Sequence, residues 1–198
     1  FEGGRFNRPN DVICHSDGSL YFTDPSMRRP FAEREVPGPD GEDAVWAGAR
    51  VYRVAPDDSI SVVVTVEYPN GLALSPDEKT LYIANTRSNQ YVHAIEIEAD
   101  GTFVRRRIFC DFSGEEVGFP DGMKVDSAGR VFCTGPGGIW VVEPDGTHIG
   151  TIRFPEQAIN MAFGGEDLCT LFVTAHTSVY TVRVKTPGQA HPFYLVGK

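Results

Sequence analysis

The stretch PNGLALSPDEKTLYIANT, Pro69–Thr86, decides how this chain folds. It holds a polar phrase, Pro69-Asn70-Gly71, then a short apolar run, a Ser/Asp-rich turn and a second run, LYIAN. The same order recurs in PNDVICHSDGSLYFTDP (Pro9–Pro25), PDGMKVDSAGRVFCTGP (Pro120–Pro136) and INMAFGGEDLCTLFVTA (Ile159–Ala175). Each copy reads as a β-hairpin. Aromatic and β-branched residues fill the strands, and Asp17-Gly18 and Ala128-Gly129 supply the turns. The second strands are LYFTD, LYIAN, VFCTG and LFVTA.

Further strand pairs follow the hairpins. Residues 51–54 precede 61–66, residues 93–97 precede 107–112, and residues 139–143 precede 150–154. Residues 178–184 open a last such pair. Asp57-Asp58, Asp100-Gly101 and Asp145-Gly146 mark the turns between partners. Units of four strands recurring about every 40–60 residues predict an all-β β-propeller with about four blades in residues 1–198, taken as one domain. The longest unit contains SMRRPFAEREVPGPDGEDAVWAG, residues 26–48, which reads as an inserted loop. No segment carries a helical pattern.

Composition narrows the function. The chain has 198 residues, 41% hydrophobic and 23% charged, with a formal net charge of −9. That acidity repels a polyanion, so a nucleic-acid partner is not expected. No apolar run reaches the ~18 residues that span a bilayer, so no membrane partner is expected either. Cys14, Cys110, Cys133 and Cys169 form no CxxC pair, and three lie in apolar runs. They read as buried free thiols in a reducing, cytoplasmic setting, with a periplasmic one left open. GxSxG, HExxH, P-loop, GxGxxG and EF-hand patterns are absent from the sequence.

Chemistry then rests on the repeated polar phrase. The first strand of a propeller blade lies nearest the axis, so Asn10, Asn70, Asp121 and Asn160 should converge at one mouth of the central channel. Amide and carboxylate oxygens suit a hard cation such as Ca²⁺, and no Cys or His stands at this position to make a thiolate zinc site. Asn and Asp beside Gly are equally turn formers. The residues alone leave both readings open. His176, in TAHTSVY, is placed to face the channel or solvent.

The phrases GRFNRPNDV, GSLYFTDP, PNGLALSPDEKTLYIA, PDGMKVDSAGRVF, TGPGGIWV and AFGGED, in this order, resemble the senescence-marker-protein/gluconolactonase/regucalcin family. The resemblance implies a six-bladed propeller with one divalent cation at the channel mouth, Ca²⁺ first and Zn²⁺, Mn²⁺ or Mg²⁺ as alternatives. It assigns Asn70 and Asp121 as metal ligands beside a Glu from a first blade, and Asp121 as the catalytic group. It assigns Arg8, Asn10 and Asp24 to the substrate. The expected first-blade Glu has no candidate before Asn10, and the units present number about four, so the chain is expected to be a C-terminal portion lacking roughly two blades. The implied activity is hydrolysis of a sugar lactone to its aldonic acid. The alternatives are a calcium-binding regulatory propeller without turnover and an arylesterase- or strictosidine-synthase-like enzyme. Blade edges left open would favour self-association.

Overall fold

The computed structural model describes residues 1–25, 49–87 and 89–191. The expected insertion, residues 26–48, lies outside them. Among the described residues the chain is all β, in four antiparallel sheets that form the blades of a four-blade propeller.

Blade one is β1 (Val12–Cys14), β2 (Leu20–Asp24), β3 (Arg50–Val54) and β4 (Ile60–Thr65). Blade two is β5 (Pro69–Leu74), β6 (Thr80–Asn85), β7 (Tyr91–Ile97) and β8 (Phe103–Asp111). Blade three is β9 (Met123–Val125), β10 (Val131–Gly135), β11 (Gly138–Val142) and β12 (His148–Ile152). Blade four is β13 (Ala158–Gly164), β14 (Thr170–Ala175) and β15 (Val179–Arg183). Each sheet runs in sequence order from an inner to an outer strand, and the inner strands neighbour one another as β1–β5, β5–β9 and β9–β13.

Two expectations are corrected. Blade four has three strands among the described residues, not four. After β15 the chain turns away at Thr186-Pro187-Gly188 and pairs beneath blade three, where Gly188 bridges Asp126 and Gln189 N donates to the Val125 carbonyl at 2.9 Å. Pro187 has no amide hydrogen to give a fourth strand at that position. The outer strand of blade two also begins earlier than residue 107, at Phe103.

The core consists of layers between blades. Side chains alternate along a strand, and each inner blade is covered on both faces. Leu72, Leu81, Ile83 and Ile95 pack toward blade one with Tyr21, Val51 and Val63. Ala73, Tyr82, Ala84 and Ala94 pack toward blade three with Met123, Val131 and Cys133. A third layer joins Phe132 and Ile139 to Met161, Leu171 and Val173 of blade four. This double coverage is why the inner blades read as nearly continuous apolar runs. Each fully buried Leu or Ile stabilises the stack by about 1.5–3 kcal/mol. The four cysteines are free, and burial pushes the Cys110 thiol up to about 11.

Candidate functional site at the channel mouth

The polar phrase of blade two is not a turn. Pro69–Leu74 is a strand, and its ladder to β6 breaks at the phrase itself. Pro69 pairs with Asn85 and Leu72 pairs with Ile83, so Asn70 and Gly71 together face Ala84. Such a bulge re-aims a side chain out of the regular alternation.

The glycine in the phrase is set by a close approach. Gly71 N donates to the Asp121 carbonyl at 3.1 Å, linking the inner strands of blades two and three. A Cβ on Gly71 would stand 2.0 Å from that oxygen. Gly122 repeats the device: its amide donates to Ile159 O at 3.1 Å, and a Cβ there would meet the Asn160 side chain at 2.2 Å. Blades one and two are joined through side chains. Thr23 Oγ1 donates to Asn70 O at 2.8 Å, and Leu72 N donates to Asp11 Oδ2 at 2.8 Å.

These links bring Asn70 and Asp121 together. Asn70 is 6% exposed. Its Nδ2 donates to Thr86 Oγ1 at 2.9 Å, while its Oδ1 is buried without a hydrogen-bond partner. A buried amide oxygen left unmet costs about 1–3 kcal/mol. The Asp121 carboxyl is raised to about 6, chiefly by burial, then by the negative charge of Asp11, with the Asn70 side chain pulling it back down. Its backbone amide donates to Thr134 Oγ1 at 2.9 Å.

The other predicted residues take different positions. Asn10 is exposed at the mouth, its amide donating to Thr23 O at 2.9 Å. Arg8 is exposed, and its amide donates to Asp24 Oδ1 at 2.6 Å. Asp24 itself is 1% exposed. Its other oxygen accepts from the amide and side chain of Asn7 at 2.9 and 3.0 Å. Its carboxylate therefore holds the segment that leads into β1. Asn160 is exposed and its Oδ1 accepts from Met161 N at 2.7 Å. His176 is exposed on the rim, 3.3 Å from Gln157 Oε1.

Three groups at the site were not singled out from sequence. Asp11 lies one residue past the anchor, and its Oδ1 and Oδ2 accept from Val12 N and Leu72 N while its charge reaches Asp121. Lys124 donates its ammonium to Met123 O at 2.8 Å, and burial pulls its pKa down against the charge of Asp11. Thr86 contacts the Asn70 amide. The recurring Thr of FTD, CTG and VTA was the available signal for a hydroxyl belt. A lone Asp or Lys in an inner strand gave none.

The donors present fit a hard cation. An orphaned buried amide oxygen, on a side chain in contact with a partly desolvated carboxylate, and that carboxylate itself are oxygen donors of the kind Ca²⁺ takes. Among the described residues no group of three or more His, Cys, Asp or Glu side chains is placed to hold a metal. Further ligands would have to come from carbonyl or amide oxygens, water or residues outside those described.

Four antiparallel sheets with their inner strands side by side make an all-β propeller, and that fold defines the class. The chain belongs to the SMP-30/gluconolactonase/LRE-like family, whose sequence model matches residues 1–177. It is 35% identical over 196 residues to a gluconolactonase of Zymomonas mobilis, covering 95% of this chain and 53% of that protein. It is 37% identical over 132 residues to the pentonolactonase XacC of Haloferax volcanii, covering 65% of this chain and 45% of that one. The solved gluconolactonase of Xanthomonas campestris superposes with a TM-score of 0.76 at 34% identity, over 95% of this chain and 59% of that structure. The chain thus spans about half the length of the curated relatives it matches. Among the described residues no helix is long and apolar enough to cross a membrane.

Proposed function

We propose that the chain contributes the catalytic mouth of a lactonase that opens a sugar lactone, gluconolactone-like, to its aldonic acid with the help of a divalent cation, Ca²⁺ first. The carrying observation is the buried, unpartnered Oδ1 of Asn70, on a side chain whose NH₂ hydrogen-bonds the Asp121 carboxylate. Relatives named as gluconolactonase and pentonolactonase support the substrate class.

Asn70 Oδ1 and an Asp121 oxygen would hold the cation, which supplies Lewis-acid stabilisation of the negative charge that develops on the lactone carbonyl oxygen. The chain's own residues do the rest. Asp121, with its pKa raised to about 6, is ionised at neutral pH yet basic enough to accept a proton from the attacking water as its oxygen bonds to the carbonyl carbon. As the ring C–O bond breaks, that proton goes to the departing ring oxygen, leaving a hydroxy acid. Asn10, exposed at the mouth, and Arg8 orient the sugar hydroxyls and carbonyl. Asp24 serves the substrate indirectly, by fixing the backbone of Asn7 and Arg8.

The test is release of acid from δ-gluconolactone by the full-length protein carrying this chain, with and without a chelator. Turnover that survives both chelation and Asp121→Ala would end the proposal. Cation binding with no turnover on any sugar lactone would transfer the site to a regulatory, calcium-binding role.

A further inference from the structure

We infer that Thr86 is a positioning residue that fixes the rotation of the Asn70 amide and couples it to the chain bearing Asp121. This rests on the cation site proposed above and adds to it the group that creates it.

The argument is one of hydrogen-bond directionality. Thr86 Oγ1 lies 2.7 Å from the Pro120 carbonyl oxygen, which can only accept. The single hydroxyl hydrogen is therefore committed to Pro120, and only a lone pair remains for Asn70 at 2.9 Å. The amide must turn its NH₂ toward Thr86. Its Oδ1 is then directed away, into the position where it has no partner. The flip of an Asn is ordinarily a matter of inference, and here the geometry of a neighbour decides it. Pro120 also directly precedes Asp121. One hydroxyl thus ties the amide ligand of blade two to the carboxylate ligand of blade three.

The pattern across blades isolates this residue. Thr23 of LYFTD and Thr134 of VFCTG occupy the same strand position, and each accepts a backbone amide of its own inner strand, from Asp11 N at 3.0 Å and Asp121 N at 2.9 Å. Blade two has Ala84 there and carries its hydroxyl two residues later, at Thr86. The displaced hydroxyl meets the side chain of its anchor, not a backbone amide. The inner strand of that blade is bulged at the anchor, as is that of blade four between Ala158 and Asn160.

Three versions of the full-length protein test this: wild type, Thr86→Val, which keeps the shape and loses both bonds, and Thr86→Ser, which keeps the hydroxyl. Calcium affinity is read by calorimetry and by the rise in Tm that Ca²⁺ produces. Groups that orient a ligand typically change affinity 10- to 100-fold. Thr86→Val should weaken binding by roughly that factor, and Thr86→Ser should restore it to within about threefold of wild type. A merely structural threonine would lower the cation-free Tm and leave the calcium-induced rise intact, and that result overturns the inference. So does equal weakening in Thr86→Ser. Absence of calcium binding by the wild type removes the cation site and this role with it. Should Thr86→Val not fold, the wild-type Asn70 side-chain amide supplies the measurement: one Nδ2 proton should exchange slowly with solvent, and fast exchange of both would refute the assignment.

Discussion

The backbone amide of Gly71 donates to the carbonyl oxygen of Asp121 at 3.1 Å, so the metal-ligand candidates of adjacent blades are joined by a bond one atom wide. Neither residue's side chain takes part. Together with the Thr86 hydroxyl on the Pro120 carbonyl, this bond sets the spacing of the two blades at the mouth, and whatever Asn70 and Asp121 hold between them inherits that spacing.

A methyl group should break this relationship. Gly71→Ala places a Cβ 2.0 Å from Asp121 O. The strands must part, at a cost of about 2–3 kcal/mol, within the range of strain and overpacking effects. Thermal unfolding should show a lowered Tm, and calorimetry a loss of calcium binding beyond what Gly150→Ala, where nothing lies within 4 Å of the added carbon, produces.

Removing the carboxylate should separate stability from activity. In the full-length protein, Asp121→Asn is expected to fold and to lose at least 100-fold in lactone hydrolysis, as removal of a general base commonly costs about 10²–10⁴-fold. Initial rates on δ-gluconolactone would check this. Wild-type-like turnover in Asp121→Asn would strip that residue of its role.

The same carboxyl predicts an unusual pH dependence of the cation-free protein. Its folded pKa of about 6 lies above the ordinary aspartate value of 3.8. Folding therefore favours the protonated acid, and that contribution, roughly 2–3 kcal/mol at most, is present below pH 4 and lost as pH rises through 6. Comparing the pH profile of Tm in wild type and Asp121→Asn isolates it. The difference between the two should appear between pH 4 and 6, and saturating calcium should reverse its sign by favouring the ionised form.

His93 acts in the opposite sense. It is 5% exposed, its Nδ1 has no partner, and burial followed by the charge of Arg106 lowers its pKa to about 4. A histidine held neutral contributes stability that is whole above pH 6.5 and declines as pH falls toward 4, by up to about 3 kcal/mol. The variant His93→Gln should unfold less readily in acid than wild type relative to its own stability at pH 7. Identical acid slopes would show that some other group governs acid unfolding.

Phe112 offers a test of the layered core. It is fully buried and stacks on Trp140 of the next blade at 4.6 Å between ring centroids. Phe112→Ala should cost about 3–5 kcal/mol. Because the lost packing lies between blades, near-ultraviolet dichroism of Trp140 should fall along with the melting temperature.

Much of this architecture was legible in the sequence because it is periodic. The strands LYFTD and VFCTG match β2 and β10 to the residue, since turns at Asp17-Gly18 and Ala128-Gly129 fix the registers of their hairpins. Recurrence singles out Asn70 and Asp121 as candidates, and the backbone bond from Gly71 to Asp121 brings their two strands together. What recurrence hid was departure from itself. The bulge at Asn70-Gly71 depends on a neighbouring carbonyl that belongs to another blade. The family resemblance assigns Asp24 to the substrate, yet whether a strand-end carboxylate faces a pocket or its own chain depends on the path of residues 7–8. The diversion at Pro187 follows from pairing with Asp126 and Val125, about sixty residues back along the chain, which no local pattern records.

The pairing of Asp24 with Arg50 closes blade one at the same end where Asn10 opens it. The connection from β2 to β3 thus departs from and returns to the rim, whereas its counterparts in blades two and three are a few residues long. Extra length in such a connection carries a shallow entropic cost, about 0.6 kcal/mol for each doubling. Insertion at that position leaves untouched the bonds between neighbouring inner strands, backbone and side chain, that hold the mouth together.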